Sequence, residues 1–259
     1  MINFTDIVSQ YPTPLQPYKR NILREYLQYK MLALIFSTKI GTKLSFIGGT
    51  ALRIAHNNNR FSEDIDFDNF QLTPKDFEIL INNLAKSLKT EGFKVETRNV
   101  FKGAFRSYVR FPNLLFQLGL TQIEEEKILI QVDTASQGFS YEPETIIINK
   151  FEVFNPIRIT PIDILLSQKI YAAITRKTAK GRDYYDIVFL LSKTKPNFQF
   201  LSQKLNVKSG VQLRNLILDK AKTLNFDDLA RDVQSFLFYP QDKQKVQLFP
   251  DYIKKVDFE

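Results

Sequence analysis

Asp64 and Asp66 stand two residues apart in the stretch FSEDIDFDNF, and Asp68 follows at the same interval. In an extended chain residues two apart share a face, so these carboxylates line one side while Ile65 and Phe67 turn to the core. Clustered carboxylates repel and raise one another's pKa unless a cation sits between them. Hard divalent cations such as Mg²⁺ or Mn²⁺ take carboxylate oxygens and keep sites for water and substrate phosphates. The competing reading is a solvated strand face, the usual meaning of a bare Asp-x-Asp. Upstream, Gly48-Gly49-Thr50 follows the apolar LSFI segment and opens a helical stretch. Unpaired amides at a helix start, reinforced by the helix dipole, bind anions, and glycine lets a phosphate approach the backbone. Thr50 can cap that helix and touch a phosphate. A phosphate cradle just ahead of a metal pair is what a nucleoside triphosphate needs.

Other residues extend this chemistry. In KILIQVDTASQG, Asp133 ends an apolar strand and can join Asp64 and Asp66; it can equally begin the turn before Gly138. Lys169 falls within the apolar stripe formed by Ile162, Leu165, Leu166, Ile170 and Ala173. A lysine there snorkels, pairs with a carboxylate, or faces a cleft where it can bind phosphate oxygens. Asp183 suits a helix N-terminus whatever its function. Asp186, one turn on, either lines a site or pairs with Lys169. Arg60 either reaches phosphate or is a loop charge. The single histidine, His56, reads as a packing residue at a helix end.

Composition narrows the chemistry further. With no cysteine, a disulfide framework, a zinc–thiolate site and a thiol nucleophile are excluded. One histidine and no G-x-S-x-G motif exclude a serine triad of the usual kind. No apolar run approaches the ~20 residues of a membrane span, and residues 1–18, with Asp6 and three prolines, do not read as a signal peptide. The expectation is a cytoplasmic protein without a membrane partner. The net charge of +8 is uneven: residues 1–168 hold 19 Lys/Arg against 18 Asp/Glu, whereas residues 169–259 hold 17 against 10. A basic C-terminal third favours a polyanionic partner, or else reflects a lysine-rich composition.

The elements that must position these residues follow from periodicity and punctuation. Helices are expected over Tyr18–Ser37, Ala51–His56 and Pro74–Leu88, the last stopped by Gly92. Strands are expected over Leu44–Ile47, Ile65–Phe67, Phe93–Val100, Ser107–Phe111, Leu114–Leu118, Lys127–Thr134 and Thr145–Val153. This pattern predicts a mixed sheet with helices on one side. After Pro156 the texture becomes helical, with helices over Pro161–Arg176, Arg182–Ser192 and three further segments to about Phe238. We therefore expect an α/β fold of two domains, residues 1–155 and an α-helical domain over 156–259. Residues 239–259 carry no assignable pattern.

Gly-Gly-Thr, thirteen intervening residues, Asp-x-Asp and a later strand Asp resemble the nucleotidyltransferase superfamily of DNA polymerase beta and the antibiotic nucleotidyltransferases. The strings GGTALRIAHNNNRFSEDIDF and LLSQKIYAAITRKTAKGRDYYDI resemble, more specifically, the AbiEii/AbiGii-type toxins of bacterial abortive-infection systems. The matched motifs span roughly residues 46–192. Where that family usually has Gly-Ser, this chain has Gly49-Thr50, which keeps a hydroxyl. The resemblance implies a nucleotidyltransferase-like sheet and transfer of a nucleoside monophosphate from NTP. It implies two Mg²⁺ held by Asp64 and Asp66 with Asp133 completing the metal site, and phosphates held by Gly48, Gly49, Thr50, Arg60 and Lys169. Lys169 and Asp186 join the catalytic residues, and either Asp133 or Asp186 takes the acceptor proton. It further implies a cognate antitoxin and an RNA acceptor, in some relatives the tRNA 3′ end. The alternatives are a small-molecule, aminoglycoside-type nucleotidyltransferase and a catalytically silent nucleic-acid-binding module.

Overall fold

The structure, a computed structural model, describes residues 3–259; Met1 and Ile2 of the N-terminal stretch lie outside the described residues. The chain divides into two compact units. One runs to His56 and resumes over Phe61–Thr160; the other combines Asn57–Arg60 with Pro161–Glu259.

The first unit is built on a seven-stranded mixed sheet. In chain order its elements are α1 (Phe4–Ser9), α2 (Lys19–Phe36), β1 (Leu44–Ile47), α3 (Gly48–His56), β2 (Ile65–Asn69), α4 (Pro74–Thr90), β3 (Glu96–Lys102), β4 (Ala104–Pro112), α5 (Leu114–Gln117), β5 (Lys127–Ala135), β6 (Glu144–Lys150) and β7 (Val153–Ile159). The strand order is β3-β4-β5-β2-β1-β7-β6. β2 runs parallel to β5 and β1 parallel to β7; the other neighbours are antiparallel. β1 is buried along its whole length, as expected of an uninterrupted apolar strand inside a sheet. In β2 only the alternate residues Ile65 and Phe67 face the apolar core, which frees the opposite side for acids.

The long helices α2 and α4 supply that core. α2 buries Leu23, Leu27, Met31, Leu32 and Ile35, and α4 buries Phe77, Leu80, Ile81, Leu84 and Leu88, the i, i+3, i+4 pattern of an amphipathic face. Each such side chain contributes about 1.5–3 kcal/mol on burial, and Leu27→Ala would cost roughly 2–5 kcal/mol. α4 starts at a capping box: the Thr73 side chain accepts from the Asp76 amide and the Asp76 carboxylate accepts from the Thr73 amide, with Pro74 at the first helical position.

Two strand expectations need correction. Leu114–Leu118 is not a strand. Asn113 takes φ +62°, turning the chain at the end of β4, and α5 forms one short helical turn that buries Leu114 and Leu115. Thr145–Val153 is not one strand either. Phe151, at φ +57°, folds it into a hairpin of β6 and β7 in which Pro156 lies opposite Ile147. Pro156 is therefore inside the sheet, and the units part at Thr160–Pro161 rather than after residue 155.

The second unit is helical: α6 (Ile162–Thr175), α7 (Gly181–Leu191), α8 (Phe198–Leu205), α9 (Gly210–Ala221), α10 (Phe226–Gln234), α11 (Gln244–Gln247) and α12 (Phe249–Lys255). Residues 239–259, unreadable in the sequence, bury Val246, Phe249, Ile253 and Phe258. Gly181 opens α7 directly against the Leu229 carbonyl, where any Cβ would collide with backbone; its amide donates to Asp232. Asn57–Arg60 joins this unit through an Arg60–Leu237 bridge and the Phe238 amide, which donates to the Asn59 carbonyl.

Candidate active site

β1 passes into α3 without a loop. Gly48, at φ +81°, makes the turn, a conformation costing an L-residue about 1–2 kcal/mol. Ile47 pairs with Asp66 across the β1–β2 ladder, and this register lays the Asp66 carboxylate on Gly48, leaving no room for a Cβ there. The acid and the glycine turn expected to work together are thus in direct apposition. Thr50 has a different task from the one expected. It is fully buried and its hydroxyl donates to the Asp64 carbonyl, pinning the start of the acidic strand to α3.

Asp133 sits in β5 in register with Asp66 of the parallel β2, so both carboxylates rise from one face. Asp133 is engaged there: Arg106 donates Nε and Nη2 to it at 2.8 and 2.9 Å, and Gln131 Nε2 donates at 2.9 Å. The bidentate bonds to Asp133 push the Arg106 pKa above its ordinary value. Asp68 stays on the face of Asp66 in β2 but is engaged by protein groups. It is buried and accepts from the Gln137 amide at 2.8 Å and the Tyr141 hydroxyl at 2.9 Å, tying down the segment after β5.

The oxygen-only donor set of Asp64, Asp66 and Asp133 fits a hard divalent cation. Among the described residues, however, no group of three or more His, Cys, Asp or Glu side chains stands ready to hold a metal ion. The expected trio is not a preassembled cage, and Arg106 occupies Asp133.

The second unit holds a buried charge cluster. α7 presents Asp183 and Asp186 one turn apart on one side, and α6 presents Lys169 from its apolar stripe. Lys169 Nζ lies 2.8 Å from Asp186 and 3.1 Å from Asp183. Asp186, with no exposed side chain, also receives Arg60 Nε at 2.7 Å, Arg60 Nη2 at 2.6 Å and Asn58 Nδ2 at 2.8 Å. Arg176 reaches Asp183 at 3.1 Å. Burial alone would raise the Asp186 pKa, but Arg60 and Lys169 outweigh it and hold the carboxyl below its ordinary range. Burial likewise opposes the charge on Lys169, and Asp186 and Asp183 reverse the effect, raising its pKa. Of the two sequence readings for Lys169 and Asp186, the structure shows their ion pair. The Arg60 guanidinium is 1% exposed and locked on Asp186. Sequence reasoning missed Asn58 and Arg176 and read Asp183 only as a helix-start acid. The available signal was the i, i+3 acid pair of α7 together with a lysine inside the α6 stripe.

Residues 33–247 match the family described as nucleotidyl transferase AbiEii toxin, Type IV toxin–antitoxin system. The chain belongs to the AbiEii nucleotidyltransferase toxin family. Membership makes it an NTP-using nucleotidyltransferase and implies a cognate antitoxin. No curated protein matches the chain. Among solved structures it is similar to JHP933 from Helicobacter pylori, with 18% identity and a TM-score of 0.58 over 91% of each chain. It is also similar to an H. pylori protein provisionally described as a nucleotidyltransferase, with 18% identity and a TM-score of 0.53 over 92% of this chain and 98% of that one. At this identity the likenesses speak for the fold, and they cover both units. Among the described residues no helix is long and apolar enough to cross a membrane.

Proposed function

We propose that this AbiEii-family chain transfers a nucleoside monophosphate from NTP to an RNA acceptor, with the tRNA 3′ end the first acceptor to test. The observation carrying the reading is the Asp66 carboxylate seated on the Gly48 turn, with Asp133 beside it in register. In this reading the Gly48 and Gly49 amides hold phosphate oxygens at the start of α3. Asp64 and Asp66 hold Mg²⁺, with Asp133 joining when Arg106 yields or shares it. The metal, when bound, supplies charge stabilisation at the transferring phosphorus and acidifies the acceptor hydroxyl. Proton acceptance falls to Asp133 rather than Asp186. A carboxylate has about four acceptor positions, and Asp186 spends them on Arg60 twice, Asn58 and Lys169. The basic balance of residues 169–259 supports a polyanionic acceptor.

The test is incubation of the purified chain with Mg²⁺ or Mn²⁺, each of the four labelled nucleotides and a panel of RNAs including tRNA. Labelled RNA that disappears with a chelator and with Asp66→Asn is expected. Absence of label with every nucleotide and RNA would overturn the acceptor assignment.

A further inference from the structure

The side of the sheet that carries Asp66 and Asp133 continues across β5, β4 and β3. Register pairs Arg106 with Asp133, Tyr108 with Gln131 and Arg110 with Leu129. It pairs Arg98 with Tyr108 and Val100 with Arg106 on the outer side. Ladder partners point to the same side, so Arg98, Arg106, Tyr108 and Arg110 share the face of the two acids. Ser107, Val109, Phe111 and Ile130 are buried on the other face. Arg98 and Lys102 are exposed, and the Arg106 side chain keeps 41% exposure despite its partner. The Arg110 guanidinium lies 5.4 Å from the Tyr108 ring centre. The acids of this patch are taken: Glu96 by Lys127 at 2.8 Å and Asp133 by Arg106. The result is a positive strip with one aromatic ring set among three guanidiniums. The near-neutral balance of residues 1–168 conceals it in the sequence.

Guanidiniums that neutralise phosphates, interleaved with a ring on which a base can stack, are what a single-stranded nucleic acid needs. A duplex, whose bases are already stacked, gains little from Tyr108. We propose that this face binds a single-stranded segment of RNA, one base stacking on Tyr108 and the flanking phosphates meeting Arg98, Arg106 and Arg110. β4 is two strand spacings from β2, about 10 Å, so a strand seated here leads toward Asp133 and Asp66. That last point rests on the transfer reading above; binding itself rests on the face alone.

The test is fluorescence anisotropy of the full chain with a labelled, unstructured RNA of about 12 nucleotides, over a salt series. Arg98→Glu/Arg110→Glu is expected to weaken binding at least about tenfold and to reduce the slope of log K against log salt by about 1.4, roughly 0.7 per lost phosphate contact. Tyr108→Ala is expected to weaken it about tenfold, while Tyr108→Phe, which keeps the ring, stays within about twofold. Lys86→Glu/Lys89→Glu, exposed on α4, whose Phe77 packs on Phe105 of the opposite sheet face, is the charge control and should change little. Circular dichroism melts confirm folding, and Arg98→Gln/Arg110→Gln replaces the reversal if it melts early. Wild-type affinity in the Arg98/Arg110 and Tyr108 variants, an equal loss in the control, or preference for a duplex overturns the proposal. If wild type labels RNA and these variants bind and label equally well, this surface falls and the transfer reading stands. If wild type labels no RNA yet the variants lose RNA binding, the transfer reading falls and the surface stands.

Discussion

Two groups of acids in this molecule look alike in sequence and differ in what surrounds them. Asp183 and Asp186 are shut away from water, and the latter has each of its acceptor positions filled by Arg60, Asn58 and Lys169. Asp66 and Asp133 rise from a sheet face, with Asp133 20% exposed and its arginine partner 41% exposed. A buried carboxylate matched by buried cations is fixed in place and in charge. A carboxylate at a surface, with a mobile or exchangeable partner, can trade that partner for a ligand. Removing one member of the first group should therefore damage the fold, and removing one of the second should damage the reaction.

The largest expected effect is on the buried side. Arg60→Met leaves Asp186 without its bidentate partner, and stranding one charge of a buried pair costs about 3–5 kcal/mol. Urea unfolding followed by far-UV circular dichroism reads this directly. Asp66→Asn should keep the unfolding midpoint near wild type while transfer drops roughly a hundredfold or more, several kcal/mol of barrier. If Asp66→Asn destabilises the chain as much as Arg60→Met, the contrast between the two groups collapses.

That contrast was only half legible in the sequence. The β1–Gly48 junction, the alternation of Asp64–Phe67 and the strand ending in Asp133 could be read because their causes are local: strand period, glycine and turn chemistry. The Arg60–Asp186 pair spans 126 residues, and no periodicity links a loop arginine to a distant helix. Arg106 was invisible as the partner of Asp133 because the pairing depends on β4–β5 register, which a single sequence does not specify. Leu114–Leu118 carries a strand-like apolar run, and one residue at positive φ, Asn113, overrode it. Pro156 punctuates a boundary in the sequence and in the fold occupies a strand.

An intermediate effect separates the groups by pH. Asp186 is held ionised below its ordinary range. Its contribution is therefore fully present above the ordinary carboxylate value of about 3.9 and is lost as pH falls through its lower folded value. Lys169 and Arg60 are shifted upward, so their contributions hold below their ordinary values and fade only in strong alkali. Unfolding free energy should fall as the solution is acidified below about pH 4, and Asp186→Asn should flatten that limb. An unchanged acid limb in the variant would mean that other carboxylates set it.

The smallest effect sharpens the comparison most, because it concerns a residue at the reacting side that does a buried residue's work. The Thr50 hydroxyl donates to the Asp64 carbonyl and has no exposed surface. Thr50→Val keeps the shape and removes the donor, leaving the carbonyl short of a partner, a loss of about 1–3 kcal/mol. Thr50→Ser should recover most of it. If the hydroxyl only positions Asp64, NTP KM in Thr50→Ser stays at the wild-type value, and Thr50→Val lowers kcat through a displaced acidic strand with little change in KM. A Thr50→Val enzyme of wild-type stability whose KM for NTP rises tenfold would instead return Thr50 to the phosphate cradle.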